Sequence, residues 1–177
     1  MKQNLVIYWI PILFLMLTGC AAQKPPKVWQ SLPPVQQTSN DLFDIRTKPL
    51  KLDNPFFVVF ELTVQNKTSL PLEINWNRSR YLHKGREKGI FVFKGIEPET
   101  IKTRTIPNER IPAGSELTKR IAPARTIAWK SRRDYIKPGE SSFVPGILPS
   151  GDNSISLVLS HNGKQWRQTT TVKIVAK

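Results

Sequence analysis

From Phe56 to Gln65 the chain alternates: Phe56, Val58, Phe60, Leu62 and Val64 share one face, and the other turns polar at Glu61, Thr63 and Gln65. A period of two in β-branched and aromatic residues predicts a half-buried strand. Asn66-Lys67-Thr68-Ser69 is its turn; Asn66-Lys67-Thr68 also spells a glycosylation sequon. Leu72, Ile74 and Trp76 alternate on the next strand, which makes Trp76 a core residue.

Further on, Tyr81-Leu82 and Ile90-Phe91-Val92-Phe93 flank residues 83–89, a hairpin with a basic tip. Residues 95–113 hold three prolines and no period, and read as a long loop. Strands are predicted at 117–121 and 126–129, and turns at Lys137-Pro138-Gly139-Glu140 and Pro149-Ser150-Gly151-Asp152. Ile155, Leu157 and Leu159 alternate before Asn162-Gly163, and a last run covers 166–175. Asn-Gly between two such runs is a strong hairpin signal. Upstream, Leu42–Ile45 and Leu50–Leu52 are short strand candidates interrupted at Pro49. Eight or nine short strands predict an all-β sandwich, not a βαβ protein.

A strand, a short turn and a second strand carrying a buried Trp are similar to strands B and C of immunoglobulin-like β-sandwiches. The chain has one Cys, so the resemblance is to disulfide-free members of that architecture. The expected domain covers 41–177, with a long loop insertion.

The N-terminus has a different pattern. Lys2 precedes thirteen uncharged residues, Leu5 to Leu17, the length of a signal-peptide core. An uncleaved membrane helix or an ordinary secretory signal would also begin this way; Pro11 and the abrupt change to Gln23-Lys24-Pro25-Pro26 disfavour a spanning helix. Leu17-Thr18-Gly19-Cys20 resembles the lipobox of bacterial lipoproteins. The resemblance implies a signal peptide over 1–19, cleavage between Gly19 and Cys20, and covalent lipid on Cys20, with no other cofactor. With Ala21 after the Cys, it also implies the outer membrane, facing the periplasm. Acyl chains on one Cys anchor a domain without a transmembrane helix. Residues 20–40, with Pro25-Pro26, Pro33-Pro34 and several Gln, read as a lipidated tether.

The 177 residues carry a formal charge of +14; without residues 1–19, which hold only Lys2, 158 remain at +13. Most of that charge falls in two windows. Arg78, Arg80, Lys84, Arg86, Lys88 and Lys94 stand against Glu87, and Lys119, Arg120, Arg125, Lys130, Arg132, Arg133 and Lys137 against Asp134. Such concentration suits an anionic partner such as lipopolysaccharide, anionic lipid, an acidic protein or nucleic acid, if the windows share a face. Tyr81 and Trp129 adjoin these charges, although alternation assigns them to the core. The expected polyanion contacts are Arg78, Arg80, Lys84, Arg86, Lys88, Lys119, Arg120, Arg132 and Arg133.

Catalytic patterns are absent from the sequence. The two histidines, His83 and His161, fall in turns, and no HExxH, GxSxG or SxxK motif occurs. Glu97, Glu99 and Glu109 lie in the polar loop, where solvated surface is their ordinary role. The expectation is therefore a non-catalytic envelope lipoprotein that meets the membrane through its lipid and another envelope protein through its domain, with no small-molecule substrate. A polyanion-binding protein is the alternative, and a hydrolase using loop carboxylates a distant third.

Overall fold

The computed structural model describes residues 28–103, 105–130 and 142–177. The leader with Gly19 and Cys20, the turn at 137–140, and Arg132 and Arg133 lie outside them. Among the described residues fourteen strands run in order: β1 (Trp29–Leu32), β2 (Gln36–Ser39), β3 (Phe43–Leu50), β4 (Val59–Asn66), β5 (Leu72–Ile74), β6 (Arg80–His83), β7 (Arg86–Gly89), β8 (Phe91–Val92), β9 (Glu109–Ile111), β10 (Glu116–Pro123), β11 (Ile127–Trp129), β12 (Phe143–Pro145), β13 (Gly151–His161) and β14 (Lys164–Ala176). One short helix, α1 (Pro98–Lys102), lies between β8 and β9.

The strands form an all-β sandwich. One sheet has the order β2-β3-β4-β10-β8; the other runs β1-β14-β13-β5-β9, with β6 and β7 also attached through β13. The order β3-β4-β10-β8 against β14-β13-β5 is that of strands ABED against GFC in constant-type immunoglobulin domains. A separate hairpin, β11–β12, links β10 to β13.

The pleat explains the layers. On β3, Phe43, Ile45, Thr47 and Pro49 are buried while Arg46 and Lys48 face water. Phe60, Leu62 and Val64 of β4 and Ile155, Leu157 and Leu159 of β13 complete the core. Inside it the Thr47 and Thr170 hydroxyls meet at 2.9 Å, tying one sheet to the other. Tyr81 packs between Phe60 and Phe91, and its hydroxyl donates to Asn153 Oδ1. Trp76 is fully buried, 4.9 Å from Phe93 between ring centroids. Its Nε1 is the one buried side-chain polar atom without a hydrogen-bond partner among the described residues.

Asn66 organises the β4–β5 turn and is itself completely buried. Its amide nitrogen donates to the carbonyls of Leu70, Ile111 and Pro112, and its oxygen accepts from the Thr68 amide and hydroxyl. A side chain so enclosed is a turn anchor, and a glycan has no access to it. At the β13–β14 hairpin, Asn162 and Gly163 both take positive φ, 47° and 73°, as a type I′ turn requires.

Four expectations are corrected. Residues 29–39 are strands, not tether: β1 pairs with β14 and β2 with β3. Val28 and Lys177 exchange backbone hydrogen bonds of 2.9 and 2.8 Å, and the Trp29 ring packs on Phe56. Pro33-Pro34 thus marks the crossing between sheets. The interruption at Pro49 is also absent, because β2 reaches only to Thr47 and leaves the prolyl nitrogen without a partner to satisfy. The expected hairpin over 81–93 is tighter, with β7 inside the predicted tip and Lys84-Gly85 as the turn; Phe91-Val92 joins the opposite sheet. Finally, the 95–113 loop is pinned by buried Ile96, Ile106 and Ile111, which anchor α1 and β9.

Candidate functional site

β8 and β10 pair for only two residues, Val92 with Ala122 and Phe91 with Pro123. The chain then turns at Phe93-Lys94-Gly95-Ile96, where the Ile96 amide donates to the Phe93 carbonyl at 3.1 Å and Gly95 takes φ 90°. A left-handed residue at the third turn position is the reason for glycine there. β10 does not turn with it. Residues Glu116 to Ile121 continue along β4, and among the described residues no strand lies on their other side.

The direction of the free groups follows from the ladder. Ser115 accepts from the Asn66 amide, so Ser115, Leu117, Lys119 and Ile121 aim their backbone groups at β4. Glu116, Thr118 and Arg120 aim theirs outward, on the side where Ala124 donates to Ile90. Among the described residues, three therefore present unpaired N–H and C=O groups in a row, the template that a further strand requires.

A groove of about 720 Å³ wraps this edge. Phe93 and Lys119 line it from the inner side of the sheet, Thr118, Arg120, Val59 and Ala122 from the outer side, and Leu52, Phe143 and Pro145 close over it. Lys119 occupies a core-facing position opposite Leu62. Its ammonium is ion-paired with Glu109 and lies 4.2 Å from the Phe93 centroid. Carboxylate and ring thus satisfy the charge, and its stem becomes apolar wall. Lys94 and Arg120 are exposed on the rim; neither has an ion pair among the described residues.

The expected polyanion residues go to different places. Arg78 bonds to Gln165, and Arg80 is ion-paired with Glu87 at 2.7 Å while donating to the Asn77 and Ser79 carbonyls. Lys84 stands in the β6–β7 turn and Arg86 directly after it. Lys88 lines a smaller groove of about 340 Å³ with His83 and Arg125, and Lys94 joins Lys119 and Arg120 in the larger one, so the two windows meet in both places. Arg120 pairs opposite Glu61 on the outward face of its sheet, while Arg80 pairs opposite Ser156 on the other sheet. The signal that sequence reading missed was the Lys94-Gly95 turn, which stops β8 short of the strand it borders.

His83 and His161 are apart, bound respectively to the Ser150 and Pro71 carbonyls. Glu109 is held by Lys119, and Glu99 lies 3.6 Å from Lys102. Among the described residues no group of three or more His, Cys, Asp and Glu gathers to hold a metal. No family model matches the chain, and neither a curated protein nor a solved structure is significantly similar to it.

Proposed function

We propose that the protein is a lipid-anchored, non-catalytic binding or assembly subunit of the bacterial cell envelope, probed by partners at the open edge of β10. The observation that carries the binding role is that edge: exposed backbone groups, unpaired among the described residues, beside an apolar groove. The anchoring role rests on the leader and Leu17-Thr18-Gly19-Cys20. Because β1 begins at Trp29, the link from Cys20 to Val28 is eight residues. It spans at most about 26–29 Å. The domain is therefore kept close to the bilayer.

One observation favours anionic lipid as a further contact. Lys84, Arg86, Lys173 and Lys177 lie at the pole where the chain enters at Val28, around Asp152. Basic residues held at an anionic bilayer each contribute about 1 kcal/mol.

Mass spectrometry of the mature N-terminus tests the anchoring, with Cys20→Ala as the control. The expected result is a lipid-modified chain beginning at Cys20, and an unprocessed precursor without fatty acid for Cys20→Ala. An unmodified N-terminus beginning elsewhere refutes the anchor.

A further inference from the structure

We infer that the groove along β10 takes an extended, acidic peptide segment of another protein as an added strand. The inference deepens the binding role proposed above. Three features select this partner. The outward backbone groups of Glu116, Thr118 and Arg120 repeat every second residue, which only an extended chain can match. A strand of about five residues covers them at roughly 3.3 Å per residue. Phe93 and Phe143 line the groove, so alternate side chains of the guest need apolar character on that side. Lys94 and Arg120, exposed and without ion pairs among the described residues, supply the charge selection.

Charge also decides among occupants. A second copy would bring another chain at +14 to a cationic rim. The chain's own 131–141 segment holds Arg132, Arg133 and Lys137 against Asp134 and Glu140, so it is basic as well. Lys119 does not guard the edge as a free inward charge, a common defence of exposed strands, because Glu109 and Phe93 already engage it. What remains is an acidic strand from a different protein.

The test uses the full chain in detergent and a peptide of alternating valine and glutamate, nine residues long. Binding is followed by the amide signals of residues 116–120. The peptide should bind with the shifts centred on Thr118 and Arg120. N-methylation of alternate peptide nitrogens, which removes donors and keeps side chains, should weaken binding tenfold or more. A valine–lysine peptide should bind at least tenfold more weakly, and Lys94→Glu with Arg120→Glu should reverse that preference. Thr118→Pro removes an outward donor that β4 does not use and should weaken binding of the valine–glutamate peptide tenfold or more. Equal binding of the N-methylated peptide overturns strand addition. Equal binding of the lysine peptide overturns the acidic partner. Absence of binding, with the chain dimeric or with binding restored by replacing 131–141 with a glycine-serine linker, assigns the edge to self-association or to the chain's own segment and overturns the inference. None of these failures touches the lipid anchor, which the N-terminal mass decides separately.

Discussion

The Lys119 ammonium lies 4.2 Å from the centroid of the Phe93 ring, on the side of the sheet where a hydrophobic residue is expected. Both side chains of its ion pair with Glu109 are mostly shielded, 22% and 28% exposed. Lys119→Met should therefore destabilise the fold by about 1–3 kcal/mol, by stranding Glu109 and losing the cation–π contact. Adding Glu109→Gln to Lys119→Met should recover part of that loss. Urea midpoints of the two single variants and the double variant give the coupling; additive losses would mean that the pair is not an interacting unit.

Asn66 carries five hydrogen bonds from a fully buried position. Asn66→Ala takes a donor from three carbonyls, of which Leu70 keeps the Thr68 hydroxyl and Pro112 the Ser115 amide, and the side-chain acceptor from the Thr68 amide; it should cost about 3 kcal/mol. Thermal unfolding of the variant checks this, and a loss below about 1 kcal/mol would mean that solvent replaces the side chain.

Strand structure is present earlier in the chain than composition suggests, and this too is measurable. A chain starting at Val28 should fold with full stability, whereas one starting at Asp41 lacks β1 and β2. Loss of the Trp29 packing alone costs about 1.5 kcal/mol. The melting midpoint of the shorter chain should fall by about 4 °C or more. Equal midpoints would contradict the pairing of β1 with β14.

Burial pushes the Tyr81 hydroxyl well above its ordinary range, so the folded state holds this proton more tightly than the unfolded one. Below about pH 10 both states are protonated and the contribution is complete. Above it the unfolded chain ionises first, and stability should fall by up to about 1.4 kcal/mol per pH unit. Tyr81→Phe should remove that alkaline slope while losing the bond to Asn153 at every pH. Denaturation curves between pH 8 and 11 compare the two, and parallel slopes would contradict the assignment.

Much of the sandwich was legible where alternation is strict. Phe60, Leu62 and Val64, the Asn162-Gly163 turn, and the buried Trp76 all follow from local pattern and turn chemistry. β1 and β2 were not, because Gln36 to Ser39 is polar and the strand forms only by pairing with β3. The helix and β9 were hidden for a similar reason: isolated Ile96, Ile106 and Ile111 have no period, and burial comes from the sheets around them. The basic windows were counted correctly as charge, but side chains two residues apart in a strand share a face and neighbours do not. Lys119 and Arg120 consequently have opposite roles, one filling the core and the other lining the rim. An open strand edge is invisible to composition, since it depends on where β8 stops.

Amide hydrogen exchange along β10 in the full chain tests the open edge most directly. Leu117, Lys119 and Ile121, paired with β4, should be strongly protected, while Thr118 and Arg120 should exchange at least a hundredfold faster. Uniform slow exchange from Glu116 to Ile121 would show that the edge is already covered, and would contradict a free docking strand.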